Sequence, residues 1–387
     1  MSPTADGRTD PRFVRHLLEL EDAFSREDEG EDALFYAEPR LVSHLDAHAM
    51  ATVERLLDGL IPEERPEILD LMTAVDSHLP PSMDPRRVVG LGMNEDEMRA
   101  NPDLTERRIQ DLNQEPQLPF REGGFDAVVN VASVEYLTEP VSVFREVGRV
   151  LKPGGVFVVV FSTRWFPPKV IRVWQEAKEE ERIGLVEEYF RRAGVFQDSD
   201  FFISMGLPRP EDDRFFPLGV PSDPVFAVFA EKEGGGSGKP ARTVCADPAD
   251  MDLDREAVEA RKERVGETLR CPYCRQLLSR WEVPDDPCID WPNEYLYLCF
   301  NDYCPFVVRG WRHMWNQGIL GVSYRYLFNP LTGGSSTIPI RSLADLRPGI
   351  VDEEEASRYP RPGIDTPTYQ GLPRVEEYGP DLGGPRG

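Results

Sequence analysis

Six cysteines occur in the chain, and four of them form two short pairs. Two residues lie between Cys271 and Cys274, four lie between Cys299 and Cys304, and 24 residues separate the pairs. Each pair can present two thiolates from one tight turn, and two such turns complete a tetrahedral shell that suits zinc and leaves no open position. The spacing therefore predicts structural zinc. A redox C-x-x-C pair and free thiols are the alternatives, although thioredoxin-like surroundings are missing.

The segment around these cysteines is poor in aliphatic and rich in aromatic residues, which is typical of a small ribbon that relies on metal and aromatic packing. The stretch LCFNDYCPFVVRGW resembles the Ogr/Delta-type zinc finger, named for phage late-transcription activators. This resemblance implies a four-cysteine finger. Cys245 and Cys288 fall outside the pairs and are interpreted as bystanders. His313 is a possible ligand by type, but the four-cysteine set is already complete.

The second informative stretch is residues 124–163, which has the pattern strand, helix, turn, strand. Two apolar runs, Phe125 to Val134 and Val156 to Phe161, have strand length and suit a parallel sheet covered on both faces. Between them, Thr138-Glu139-Pro140 is typical of a helix start, and Lys152-Pro153-Gly154-Gly155 is expected to end the helix and turn the chain. The pattern predicts a parallel βαβ unit.

The amino-acid sequence of this unit is FDAVVNVASVEYL followed by VFREVGRVLKPGG. It resembles the late strands of class I S-adenosylmethionine-dependent methyltransferases, especially the type 11 branch. The resemblance spans roughly residues 35–232. It implies an α/β fold, a Rossmann-like methyltransferase sheet with helices on both faces, joined here to a small zinc-ribbon-like C-terminal domain. Earlier strands are expected at 67–72 and 87–93, with a third leading into Asp111, and closing strands at 201–203 and 224–231.

In the fold that the resemblance implies, the cofactor lies across the carboxyl ends of the first strands. The loop after the first strand is normally rich in glycine, but here Met72, Ala74 and Asp76 stand where glycines belong. Gly92 occupies the place of the acid that normally binds the ribose, whereas Asp111 keeps the position that usually faces the adenine amine. The predicted cofactor contacts are Asp70, Met72, Ser77, His78, Gly92, Asn94, Asp111, Leu112 and Asn130.

Two interpretations of this unusual loop remain open. In one, S-adenosylmethionine still binds, and Ser77, His78, Asn94 or Glu95 replace the lost contacts. In the other, the domain has lost the cofactor and keeps the fold as a scaffold.

Methyl transfer needs a base only for weakly acidic acceptors, because positioning in a dry pocket supplies most of the catalysis. The candidate catalytic residues are Glu135 and Tyr136 after the fourth strand, and Tyr36 and His44, with Asp46, in a segment that covers the pocket. Each has a structural alternative: Tyr136 as a packed aromatic, Glu135 as a solvated acid, and His44 as the neighbour of a helix cap.

The formal net charge is −25, so the surface should repel nucleic acid and anionic membranes. No basic stripe runs through the cysteine segment, and the one place worth testing for an anion is Arg309-Gly310-Trp311-Arg312. No apolar run approaches the roughly 20 residues that a membrane span needs, and no signal segment is apparent, so a cytoplasmic location is expected. Partners are expected to be an unidentified methyl acceptor or a protein.

Five regions are expected along the chain: a helical arm and cover (1–66), a methyltransferase-like domain (67–232), a linker with a charged helix (233–265), a four-cysteine zinc module (266–345) and a tail rich in Pro, Gly and acid (346–387). Three functions follow. The first is an S-adenosylmethionine-dependent methyltransferase whose zinc module helps to present the acceptor. The others are a silent interaction scaffold and, on the zinc-finger resemblance alone, a transcription-linked factor.

Overall fold

The computed structural model describes residues 11–235, 241–247, 253–284 and 292–351. A seven-stranded sheet has the order β3-β2-β1-β4-β5-β7-β6, and β1 to β5 are parallel, whereas β7 lies antiparallel between β5 and β6. Its strands are β1 (Glu67–Leu71), β2 (Arg87–Gly92), β3 (Glu106–Ile109), β4 (Phe125–Val131), β5 (Leu151–Phe161), β6 (Asp200–Ser204) and β7 (Val225–Glu231). The predicted βαβ unit and both closing strands are confirmed.

Helices cover both faces of this sheet, as predicted. They are α1 (Pro11–Leu18), α2 (Asp32–Phe35), α3 (Ala47–Leu60), α4 (Glu95–Ala100), α5 (Pro140–Val150), α6 (Arg172–Glu176) and α7 (Glu179–Ala193). Strand β5 shows why two layers form, because its side chains alternate between the faces. Val156, Val158 and Val160 pack with α3, and Phe157, Val159 and Phe161 pack with α1, α5 and α7.

A second, antiparallel sheet of four strands, ordered β11-β10-β9-β8, carries the cysteines. We call residues 253–284 and 292–351 the zinc module. Its elements are α8 (Arg255–Glu263), α9 (Val265–Thr268), β8 (Ser279–Glu282), β9 (Tyr295–Leu298), α10 (Pro305–Trp315), β10 (Ser323–Phe328) and β11 (Ser335–Ile340). The charged helix expected before the cysteines is thus interrupted between α8 and α9.

The helix start predicted at Thr138-Glu139-Pro140 is confirmed, because α5 begins at Pro140. Thr138 does not cap α5, because its hydroxyl donates to Asn113 Oδ1 at 3.1 Å, and the N-cap residue Glu139 makes no side-chain capping bond. The segment 152–155 is not a free turn but the irregular beginning of β5, where the register against β4 shifts and Gly154 takes a φ of 69°.

The ends of the predicted regions differ from the structure. Residues 241–247, within the predicted linker, lie against the large sheet: Thr243 N donates to Gly59 O at 2.9 Å, and Ser204 Oγ donates to Asp247 Oδ1 at 2.6 Å. Residues 346–351, assigned to the tail, pack in the module, where the Trp281 indole donates to Leu346 O at 2.6 Å. Residues 1–10, 236–240 and 352–387, on which the remaining arm, linker and tail predictions fall, lie outside the described residues, as does Cys288.

No helix among the described residues is long and apolar enough to cross a membrane.

A buried ion triad in the zinc module joins the second cysteine pair to β10 and to the turn at Arg347. Asp302 has no exposed side-chain surface, and its carboxylate oxygens accept from Arg325 at 2.7 Å and from Arg347 at 3.0 Å. Both arginines are equally buried, and each also donates to Leu343 O, so the triad fixes the turn that follows β11.

Replacing Asp302 by Ala should destabilise the module strongly, because two guanidinium groups lose a buried counter-charge; we expect about 3–5 kcal/mol in the free energy of unfolding. Chemical denaturation of the zinc-loaded protein, followed by tryptophan fluorescence, measures it. The matched control is Asp96→Ala, which removes an exposed pair with Arg99 and should cost about 0.5 kcal/mol. Equal losses in the two variants would contradict the structural role of the triad.

Candidate metal centre and cofactor cleft

The four paired cysteines come together in the zinc module. Their Sγ atoms all lie within 4.8 Å of one another, with Cys271 and Cys304 3.8 Å apart and Cys274 and Cys299 3.6 Å apart. Tetrahedral zinc with Zn–S distances of about 2.3 Å places neighbouring sulfurs about 3.8 Å apart, whereas a disulfide requires about 2.05 Å. The donor set and its size therefore fit zinc, and they fit neither a disulfide nor an open catalytic metal site.

Local structure explains how each pair presents its thiols. Cys271 opens a tight turn in which its carbonyl accepts from Arg275 N at 2.9 Å and Arg275 adopts a left-handed φ of 64°. Cys304 is the N-cap residue of α10, so one thiol of the second pair is placed by the start of that helix. Arg325 also donates to Cys299 O at 3.2 Å, which connects the second pair to the buried triad.

Among the residues that the structure describes, none outside the four cysteines joins this centre. Cys245 lies in the segment against α3, and His313 bonds Gln317 at 2.8 Å. The anion site proposed at 309–312 is not assembled: Trp311 is buried in the module core, and Arg312 forms an ion pair with Asp247 at 3.2 Å.

A cleft lies at the carboxyl ends of β1 to β4, roofed by a cover segment that we define as residues 32–46. Apart from the cover, it is lined by the loop after β1, the start of α4, the segments after β3 and β4, and Phe166 after β5. The predicted site residues among its walls are Tyr36, His44, Asp70, Met72, His78, Gly92, Asn94, Asp111, Leu112 and Tyr136. Ser77, Asn130 and Glu135 are buried and are not among the lining residues.

The loop after β1 is held by side chains instead of being built from glycine. Met72 and His78 take left-handed φ values of 61° and 53°, conformations in which glycine would be unstrained. The buried amide of Asn101 donates to Ser77 Oγ at 3.0 Å and to Ala74 O at 3.2 Å. Sequence analysis missed Asn101, because a lone Asn before a Pro carries no recognisable signal.

Asp70 anchors the other side of this loop. Its carboxylate accepts a short hydrogen bond from Thr73 and another from Ser77. Burial raises the pKa of Asp70 to about 7, against the opposing effect of those two hydroxyl donors. Asp70 is therefore a structural anchor of the loop.

At the end of β2, the polar groups are used differently from the prediction. A Cβ on Gly92 would lie 2.4 Å from Thr73 O, so close packing of the loop requires glycine there. Asn94 caps α4 and donates to Tyr36 O and Ala37 O at 2.9 and 3.1 Å, which ties the cover to the cleft. Glu95 forms an exposed pair with Arg99, whereas Glu97 faces the cleft and accepts from Arg40 N at 2.6 Å.

Asp111 stands where β3 opens into the cleft, with one carboxylate oxygen accepting from Asn113 N at 2.9 Å. Leu112 beside it is buried and supplies an apolar wall. Asn113 is fully engaged, donating to Asp32 at 2.9 Å and to Tyr136 O at 3.0 Å. Asn130 instead serves the sheet, donating to Leu71 O at 3.1 Å from a buried position.

The four candidate catalytic residues have different environments. Tyr36 and Tyr136 line the cleft, but burial raises the pKa of both phenols, and Tyr136 Oη accepts from Phe166 N at 2.9 Å. Burial lowers the pKa of His44 to about 4, so this cleft-lining imidazole, edge-on to Phe166, is neutral at pH 7. Glu135 is 1% exposed, which contradicts its interpretation as a solvated acid; the 3-10 turn Val134–Tyr136 directs it into the interior.

Arg40 is a further cleft residue that sequence analysis missed. Its guanidinium lies 4.9 Å from the ring centroid of Phe35 and 5.0 Å from that of Phe166. Stacking on two aromatic faces holds the cation over the cleft. The adjacent aromatic and basic residues of FYAEPR were a signal for this arrangement.

The comparisons with known proteins agree with this architecture. The sequence model of a family described as a methyltransferase domain matches residues 78–159. The large sheet has the Rossmann-like methyltransferase fold. The match begins at His78, within the loop after β1. No curated protein matches the chain.

Several solved structures are similar over about half of the chain. An S-adenosylmethionine-dependent methyltransferase from Mesorhizobium loti is 16% identical, with 47% of this chain and 96% of that chain covered at a TM-score of 0.31. A methyltransferase of the same cofactor class from Thermotoga maritima is 14% identical, covering 48% and 90% at 0.35. The [4+2]-cyclase SpnF is 17% identical, covering 48% and 82% at 0.34. Similarity at this level does not identify the reaction.

The purified protein should contain one zinc ion per chain, measured by inductively coupled plasma mass spectrometry. Cys299→Ser should lose it, because a closed tetrahedral site depends on all four ligands. Cys245→Ser, which changes a thiol outside the cluster, should retain it. Stoichiometric zinc in the Cys299 variant would contradict the assignment.

Glu135 should make stability depend on pH. Burial raises its pKa to about 8 in the folded protein, whereas an unfolded glutamate ionises near 4.3. Between these values the folded state binds more protons, so this residue's contribution to stability decreases as pH rises. Relative to Glu135→Gln, the wild type should lose on the order of 3 kcal/mol from pH 5 to pH 9. Denaturation of both proteins at both pH values checks this prediction. An equal change in the free energy of unfolding of the two proteins would contradict it.

Proposed function

We propose that this protein is an S-adenosylmethionine-dependent methyltransferase whose cofactor loop is held by side chains instead of glycine. The observation that carries the proposal is the cleft itself, which opens at the carboxyl ends of β1 to β4 and has Asp111 at its wall. The matched methyltransferase domain at residues 78–159 supports the same assignment.

The residues that line the cleft offer contacts to the adenine and to the ribose of this cofactor. Asp111 offers a carboxylate for the adenine amine, and Leu112 offers an apolar surface for the ring. Glu97 supplies an acid near the end of β2, where Gly92 lacks one, so it is our candidate for the ribose hydroxyls. The left-handed backbone at Met72 allows the loop to turn without glycine.

The bound cofactor supplies a methyl group on a sulfonium that is already activated. The protein therefore has to orient the acceptor and exclude water. Water is excluded by an aromatic wall, which consists of Phe166, Tyr36 and Tyr136. Neither tyrosine is ionised at neutral pH, and His44, with its low pKa, is a weak base. The geometry therefore favours an acceptor that is nucleophilic without help from a strong base.

One specific observation favours the scaffold alternative. At the end of β2, Gly92 is required by packing, and Asn94 uses its side chain to cap α4 and to hold the cover. If Glu97 does not replace the missing acid, the cleft binds no cofactor, and the protein acts as an interaction scaffold. Calorimetric titration with S-adenosylmethionine and S-adenosylhomocysteine separates the two functions.

In that titration, Asp111→Ala should weaken binding by about 1–3 kcal/mol, equivalent to roughly 5- to 150-fold, because the adenine amine loses a charged acceptor. Asp96→Ala is the control, since Asp96 lies on α4 outside the cleft lining and pairs with Arg99. Unchanged affinity in the Asp111 variant would contradict the adenine assignment. If the folded wild-type protein gives no binding heat, the scaffold function takes the place of the proposed enzyme function.

A further inference from the structure

The zinc module does not hang from a linker but packs against the large domain, where Trp315 contacts α7 and β7, Arg312 pairs with Asp247, and one loop also reaches towards the cofactor cleft. This bridging loop, residues 205–224, connects β6 to β7 and lies between the module and the cover segment. On the module side, Gly206 has a φ of +92°, and a Cβ there would lie 2.4 Å from Val308 O and 2.7 Å from Trp311 Cδ1. Helix α10 therefore sits directly against the backbone of Gly206.

A second contact fastens the other end of the bridging loop. Leu343 N donates to Gly219 O at 2.6 Å, and Ser342 Oγ donates to Leu218 O at 3.1 Å. A Cβ on Gly219 would lie 2.6 Å from Ala344 N, so this approach also requires glycine. The Leu343 carbonyl is held by the buried arginines Arg325 and Arg347, which are tied to the second cysteine pair.

The same loop is bonded to the end of the cover segment. One oxygen of Asp46 accepts from Ser222 Oγ at 2.8 Å and the other accepts from Asp223 N at 2.6 Å; Arg209 lies 3.3 Å from this second oxygen. Arg209 also donates to Asp223 at 2.7 Å from a position that is 1% exposed. His48 Nδ1 is 2.7 Å from Pro208 O.

We propose that the zinc module is a brace for the cofactor cleft, with Arg209 and Asp46 as positioning residues for the cover segment. Cys304, one of the four thiols that would hold zinc, caps the start of α10, and α10 holds Gly206. The bridging loop then holds Asp46, two residues after the cleft-lining His44. The brace is independent of methyl transfer, and only its effect on cofactor affinity rests on the proposed function.

Hydrogen–deuterium exchange on the full-length protein tests the brace without any cofactor. Gly206→Ala should raise exchange in residues 36–46 by roughly tenfold, because the added Cβ pushes the module away. The matched control is Gly318→Ala at the end of α10, since Gly318 has a similar φ of +76° but nothing within 4 Å of a Cβ. Exchange in β1 should be unchanged in both variants.

Zinc removal with EDTA provides a second measurement that needs no variant. Exchange at residues 36–46 should rise together with exchange at 299–304, and it should return when zinc is restored. Unchanged protection of 36–46 in Gly206→Ala, or after zinc has left, would overturn the brace.

S-adenosylhomocysteine titration then reports the consequence for the cleft. Gly206→Ala should bind it several-fold more weakly than Gly318→Ala does. If the wild type does not bind S-adenosylhomocysteine, the proposed function fails. The hydrogen–deuterium exchange result still decides whether the zinc module is a brace for the cleft. If the wild type binds S-adenosylhomocysteine and the two variants bind equally, the brace does not position the cleft.

Discussion

The carboxylate of Asp46 is the interaction on which the arrangement of this protein depends. One of its oxygens caps α3 by accepting from His48 N and Ala49 N, at 3.0 and 3.1 Å, and the same oxygen accepts from Ser222. A buried carboxylate is costly unless its lone pairs are filled, and here a helix start and a distant loop fill them together. Because one group serves both, the cover cannot move independently of residues 205–224.

Much of the fold could be predicted because its signals are local. Long apolar runs at β4 and β5 predicted a sheet covered on both faces, and cysteine spacing predicted the cluster at Cys271, Cys274, Cys299 and Cys304. The direction of Glu135 could not be predicted, because a single 3-10 turn decides it. The docking of the module was also missed, since it depends on backbone carbonyls and on two glycines, Gly206 and Gly219, whose neighbours are distant in the chain.

The cofactor loop shows that a tight turn has more than one chemical solution. Glycine relieves backbone strain in a tight turn because it has no Cβ. This chain keeps side chains there, and buried hydrogen bonds from Asn101 and Thr73 hold the strained backbone. Such a loop depends on neighbouring side chains that a glycine loop does not need. The missing glycines therefore indicate a loop that is built differently. Cofactor binding in the cleft depends on Glu97 and Asp111 and not on loop glycines.

The long separations across the Asp46 contact have a consequence for synthesis. Asp46 N bonds to Asp223, 177 residues later, and His48 bonds to Pro208, 160 residues later. A ribosome delivers the amino end first, so the cover emerges long before the loop that fixes it. The cleft is then completed after β7, and its brace only when the last zinc ligand and the turn after β11 have left the exit tunnel. A chain truncated before that point would carry an open, unbraced cleft.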